Sequence, residues 1–268
     1  INVPDGICLQ IDPEASGSVI SRLEIEGGTI YTVFLQTDWE QGPNPNGTGA
    51  NNVVLEDCKL HGSGRDVVKV TPKSNQLTIS RCEIYNSGRT YPPGTPLQDK
   101  NAEGVDNVNA DGMRIMDSFI HDIATNCLYF KGGARNAVIE RNRLENCDEG
   151  GIMVGFDTSP EFFDLSVNPG YFEAISGVVR NNIIRSTDFA GIGLYASKDS
   201  LIFNNTLIDT ARLGHAGLYF GVTLQDFDPN AGRPANSNPR LVNNIVKQSH
   251  ARCLSIRWAN ELGGLSGL

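Results

Sequence analysis

Lys69, Asp106 and Lys131 are far apart along the chain, yet they stand in short apolar segments of one kind: DVVKV, GVDNV and CLYFK. Asp66 opens the first segment and Glu103 stands just before the second, in a shared slot that passes to Asn126 just before the third. Two carboxylates brought side by side repel, which raises a pKa or recruits a cation. A hard cation such as Ca²⁺ takes oxygen ligands and would bridge Asp66, Glu103 and Asp106. A lysine beside a cation has its pKa lowered and can serve as a general base. The set suits β-elimination from a uronic acid: the cation neutralises the sugar carboxylate, and neutral Lys69 or Lys131 removes the proton at C5. The bland alternative is a surface charge ladder, in which Lys69 and Asp106 pair across two strands for under ~1 kcal/mol.

Positioning these residues together requires a repeat. Asparagine recurs at Asn142, Asn182, Asn205 and Asn244, and the same slot holds Ser118, Cys82 and Cys58 upstream. Around it, Ile79, Ile115, Ile139, Val179, Ile202 and Leu241 fill one apolar column, and Ile84, Ile120, Leu144, Ile184, Leu207 and Val246 fill a second. A third column runs Val68, Val105, Leu128, Ile152, Ile192 and Leu218, with an inward partner two residues later, which is the strand period. Glycines such as Gly104 and Gly151 precede these strands, where the backbone must turn sharply. The runs are too short for helices, and a 3.6 period is absent. A basic period of 23 or 24 residues predicts a solenoid of short strands, stacked so that each coil buries what it cannot bury alone. With crossovers overwhelmingly right-handed, the expected fold is all-β: a right-handed parallel β-helix of about eight coils. It reads as one domain over 1–268 and, because the chain stops inside a repeat, as a fragment of a longer solenoid. The asparagine column is expected to be structural, its amides bonding from rung to rung.

Inserts break the period at 37–49, 86–102, 157–173 and 222–238, all beside the sheet that carries the lysines. In repeat proteins insertions gather on one face, often the binding face. Their aromatic residues, Trp39, Tyr91, Phe162, Phe163, Tyr171 and Phe227, suggest a groove wall for sugar rings. The outward column of the same sheet reads Lys69, Asp106, Tyr129, Met153, Gly193, Tyr219. Arg89, Tyr129, Trp39, Tyr219 and Asp157 are therefore the candidate substrate-binding residues. A net charge of −9 excludes a nucleic-acid footprint but not an acidic glycan, since a basic row or a bound cation can reverse the sign locally. No apolar run approaches the roughly 18 residues of a membrane span. The six cysteines show no metal spacing and read as buried free thiols, with a Cys58–Cys82 bridge geometrically demanding. The four histidines read as turn residues, His215 lying nearest the sheet.

The coil spacing, the asparagine column and the lysine-bearing strands resemble the pectate-lyase-like right-handed parallel β-helix superfamily. The stretch NCLYFKGGARNAVIERNRLEN at 126–146, with GGIMVGFDTSPEFFD after it, is similar to bacterial secreted proteins with parallel β-helix repeats. The resemblance implies a secreted, extracellular or periplasmic carbohydrate-active protein. Calcium-and-lysine pectate lyases resemble the site most, although they place several aspartates on one coil whereas here the acids span two. The expectation is a lyase acting on an acidic polysaccharide, with Lys69 or Lys131 as base, Asp106 beside them, and Ca²⁺ on Asp66, Glu103 and Asp106. The alternatives are a non-catalytic glycan-binding or adhesive module, and a glycosidase using two carboxylates among Asp106, Glu103 and Asp157.

Overall fold

The computed structural model describes residues 1–38, 47–221, 223 and 233–256. The short apolar runs form strands, and equivalent strands pair in parallel to build three long sheets of nine, nine and eight strands. One sheet runs from Asn2–Val3 to Ile245–Lys247, and a second from Val19–Ser21 to Arg240–Val242. The third, here the site sheet, stacks Ile7–Ile11, Tyr31–Leu35, Val68–Val70, Val105–Val108, Leu128–Lys131, Ile152–Val154, Ile192–Leu194, Leu218–Phe220 and Leu254–Ile256. Among the described residues this is a parallel β-helix with one rung more than the roughly eight read from the repeats. The extra rung is amino-terminal: Asn2 pairs with Glu26 and Ile7 with Tyr31, although neither segment carries the repeat pattern that the later coils share.

Alternation drives the packing. Ile84, Ile120, Leu144, Ile184 and Leu207 are each 0% exposed and lie in register across successive rungs. Burying each such side chain contributes roughly 1.5–3 kcal/mol. At the corner between two sheets the chain passes through the left-handed region at Asp57, Arg81, Asp117 and Arg141, with φ from 52° to 55°. The next residue is then Cys58, Cys82, Ser118 or Asn142, the column singled out in the sequence.

That column is a hydrogen-bond ladder, as expected. The Asn142 Nδ2 donates to Asn182 Oδ1 at 3.1 Å, Asn182 to Asn205 at 3.0 Å, and Asn205 to Asn244 at 3.0 Å. Each Oδ1 also accepts the backbone N–H of the preceding ladder residue, and each Nδ2 reaches a carbonyl such as that of Ile139. Buried amides are thus satisfied at a corner where no strand partner exists.

The cysteines depart from the reading. Cys127 and Cys147 form a disulfide, with Cα atoms 5.5 Å apart. Cys147 ends a strand one rung above Ile123, with which it is in register, and Cys127 lies just across the same corner from Ile123. The two therefore meet diagonally although they occupy different columns, which column-by-column comparison does not detect. Cys58 and Cys82 are free and buried.

Candidate active site

The strand register brings the chemical residues together. Lys69 is the partner of Asp106, Asp106 of Tyr129, and Val108 of Lys131, so Lys69, Asp106 and Lys131 fall on three successive rungs of one sheet. Two inserts from opposite edges enclose the space above them. Gln98, Lys100 and Asn101 come from one side, and Phe156, Asp157, Thr158, Ser159 and Phe162 from the other. The resulting cavity measures about 560 Å³ and is lined also by Tyr31, Lys69, Asp106, Tyr129 and Lys131.

Beneath it lies a buried acidic trio. Asp66 and Asp106 are 0% exposed and Glu103 4%, and carboxylate oxygens of all three lie within 4.8 Å of one another. The Glu103 N–H donates to Asp66 Oδ1 at 3.0 Å. Asp66 Oδ2, Glu103 Oε2 and Asp106 Oδ1 are buried without a hydrogen-bond partner among the described residues. Burial, reinforced by the charge of Asp106, holds both the Asp66 and Glu103 carboxyls above the usual carboxylate range. Orphaned buried oxygens are costly, and a hard cation coordinated by oxygens 2.3–2.6 Å away is one chemistry that relieves them. The donor set fits such an ion.

The two lysines are held in opposite ways. Lys69 contacts Asp106 Oδ2 directly, and its Nζ is 3.8 Å from Asp66 Oδ2. Burial alone would lower its pKa, but Asp106 and then Asp66 outweigh burial and raise it. Of the two lysines expected as base, Lys69 is thus the one placed as counter-ion of the trio, its ammonium against Asp106 and near Asp66. Lys131 makes no carboxylate ion pair among the described residues. Its Nζ lies 4.2 Å from the Tyr129 ring centroid and 5.7 Å from that of Phe156, and donates to the Asp157 carbonyl at 2.8 Å. Gly132 and Gly133 follow with φ of +69° and +96°, a turn that L side chains rarely adopt.

Of the substrate-binding candidates, Asp157 and Tyr129 line the cavity, whereas Tyr219 and Arg89 do not. Tyr129 is only 2% exposed, wedged against Phe156 and Lys131, so it forms wall rather than an open sugar platform. Tyr219 lies three rungs further along the column, roughly 14 Å at the usual strand spacing, and is stacked under His215 at 4.1 Å. Arg89 lies in a separate cleft with His61, Asp122 and Asp148, where its Nη1 donates to the Gly62 carbonyl at 3.3 Å. Its insert leaves the corner before the site sheet and presents Lys100, not Arg89, to the cavity. Trp39 lies outside the described residues. Of the other insert aromatics, Phe162 lines the cavity, whereas Phe163 and Tyr171 pack on Arg233.

Glu149 escaped the column comparison, because the aligned slot holds Gly150 and the carboxylate is one residue earlier. It accepts from Asn126 Nδ2 at 2.6 Å, and burial pushes its pKa up to about 7, against the pull of Asn126 and Lys131. A folded pKa above the unfolded one means that the native state binds the extra proton. Stability therefore falls as pH rises from the ordinary glutamate range through about 7. Glu149→Gln should gain about 1–3 kcal/mol at about pH 8 and nothing at about pH 4. Urea titrations at both pH values check this, and equal stability of the two proteins at the higher pH would refute it.

The chain belongs to the right handed beta helix region family, whose model matches residues 14–164. No curated protein matches it in sequence. Solved structures share the fold at low identity. The enzymatically active domain of bacteriophage CBA120 tailspike protein 2 superposes with a TM-score of 0.55 at 12% identity, covering 94% of this chain and 32% of that one. The tailspike protein of E. coli bacteriophage HK620, a double mutant in complex with a pentasaccharide, gives 0.53 at 10% identity over 94% and 41%. PfbA, a surface adhesin of Streptococcus pneumoniae, gives 0.50 at 11% over 95% and 60%. The chain thus spans less than two thirds of the length of each.

Proposed function

We propose that this chain is the catalytic β-helix of a secreted polysaccharide lyase, cleaving a uronic-acid polymer by β-elimination with Lys131 as the base. The observation that carries the reading is the contrast between the lysines. Lys69 is paired with carboxylates, whereas Lys131 stands on the cavity wall against an aromatic ring and with no carboxylate partner among the described residues. Lys131 faces the cavity with a ring and a backbone carbonyl against its amine, so no carboxylate among the described residues ties it away from a substrate carbon. Lys131 would take the C5 proton; the C4=C5 double bond forms as the C4–O4 bond breaks, and O4 leaves with a proton from the conjugate acid or from water.

A base must be unprotonated, so Lys69 alone faces the three carboxylates of the trio, which is unfavourable for a uronate. Asp66, Glu103 and Asp106 would hold Ca²⁺, which supplies the positive charge that offsets the sugar carboxylate. Lys69 keeps Asp106 in place, and Lys100 adds positive charge to the opposite wall. The pentasaccharide bound by a similar tailspike supports a glycan as the partner. The disulfide supports an oxidising compartment.

Hydrolysis is the second reading, favoured by the upward shift of Asp66 and Glu103, which suits a general acid. It ranks lower because neither acid lines the cavity, and Asp106, which does, is tied to Lys69. Pectate, alginate and glucuronan, each with and without chelator, decide between them. The expected result is ultraviolet absorbance of the unsaturated product on one polymer, lost on chelation and restored by Ca²⁺. New reducing ends without absorbance would establish hydrolysis, and binding without either product would establish a non-catalytic module.

A further inference from the structure

A second buried charge pair lies behind the cavity wall, built from residues of two different inserts. Glu173 is 0% exposed and Arg233 4%. The Arg233 Nε donates to Glu173 Oε1 at 2.9 Å, and its Nη2 reaches the Thr158 carbonyl. The guanidinium lies 4.5 Å from the Phe163 ring centroid and 5.0 Å from that of Tyr171. The other Glu173 oxygen, Oε2, accepts from the Gly132 N–H at 2.9 Å and from Thr158 Oγ1 at 2.6 Å. Gly132 is the residue after Lys131, and Thr158 the residue after Asp157, whose carbonyl receives the Lys131 ammonium. One carboxylate therefore holds both the backbone that carries Lys131 and the backbone that Lys131 touches. A further tie, Thr223 Oγ1 to the Phe156 carbonyl at 3.1 Å, fastens the same wall.

Stability alone is a weak reason for this arrangement, since a well-packed apolar pair of similar volume commonly stabilises as much as a buried ion pair or more. What an apolar pair lacks is direction: a carboxylate with three donors fixed around it sets where its neighbours stand. We infer that Glu173 and Arg233 are positioning residues for Lys131, a role that rests on the reading of Lys131 as the base. The pair locks the 157–173 insert to the end of the site strand, so that the lysine amine meets the cavity over Tyr129 rather than ranging free.

The test reads position and turnover separately. Lysines of the full chain are reductively methylated with a ¹³C label, and the Lys131 resonance is identified by its loss in Lys131→Arg. Held over Tyr129, it is displaced by the ring current. In Glu173→Gln and Arg233→Lys it should move toward the resonances of exposed lysines. On the polymer that the native protein cleaves, kcat should fall roughly tenfold to a hundredfold with KM changed less than about twofold, the pattern of a misplaced catalytic group. If Glu173→Gln does not fold by circular dichroism, Arg233→Lys carries the test, because it keeps the charge and loses the planar fork. Folded variants with an unmoved Lys131 resonance and native kcat would overturn the inference. If the native protein cleaves no polymer, the lyase reading falls, and the resonance alone still decides whether the pair positions Lys131.

Discussion

Lys131→Ala should lower turnover by about 10²–10⁴-fold, the range over which a positioned general base acts, while leaving the fold and glycan binding nearly intact. The structural cost is small because Lys131 stands at the end of its strand and pairs with no carboxylate among the described residues; its side chain contributes a carbonyl hydrogen bond and a ring contact. Lys131→Arg sharpens the result. It keeps the charge and much of the ring contact, but a guanidinium does not give up its proton near neutral pH, so it should be nearly as inactive as alanine. The measurement is initial rate of unsaturated-product formation on the responsive polymer, with binding followed by affinity electrophoresis. Native turnover in the arginine variant would remove Lys131 from the role of base, and a parallel loss of binding in both variants would make it a substrate contact instead.

Lys69→Met should instead damage the protein itself. Removing one partner of a buried ion pair leaves uncompensated charge and costs about 3–5 kcal/mol. Here the charge left behind is shared by Asp66, Glu103 and Asp106, none of them more than 4% exposed. The sign with pH follows from the direction of the shifts. Asp66 and Glu103 already have folded pKa values above their unfolded ones, and losing Lys69, whose charge pulls Asp66 down, raises Asp66 further. Groups of this kind destabilise increasingly as pH rises from the unfolded value through the folded one. The deficit of Lys69→Met should accordingly be smaller at about pH 4 than at about pH 8. Millimolar Ca²⁺ should recover more stability in the variant than in the native protein, because a second cation then replaces the missing ammonium. Thermal unfolding at the two pH values, with and without Ca²⁺, gives all four comparisons. A variant as stable as the native protein at the higher pH without Ca²⁺ would show that the trio is protonated and needs no counter-ion.

The two variants separate what the column of outward residues leaves merged. Lys69 and Lys131 both follow from the strand pattern, and nothing in their residue type distinguishes base from counter-ion. The distinction arises from offset: Lys69 is level with Asp106, whereas Lys131 is level with Val108, one residue pair along. At that place the neighbouring side chains are aromatic and the available acceptor is a backbone carbonyl. Arg89 shows the opposite outcome. Its chemistry suited the site, but its insert has no repeat register, so sequence position carried no information about where the guanidinium would lie.

What the amino-acid sequence determined by itself is the rung structure and its register: which residues stack on which, from the 23- or 24-residue period and the two-residue alternation within strands. That follows because a parallel β-helix repeats one backbone path, so columns in the sequence become columns in space, and apolar burial penalises any slip. It sufficed to place Asp66, Glu103, Asp106, Lys69 and Lys131 beside one another and to mark the asparagine ladder as structural. Only the tertiary structure decided the diagonal disulfide, the burial of Tyr129 and Tyr219, the bond from Asn126 to Glu149, and the Glu173–Arg233 clasp behind Lys131. Each of these joins residues from different columns or from inserts outside the repeat, where contact depends on how loops fold back over the sheet and not on the period of the coil.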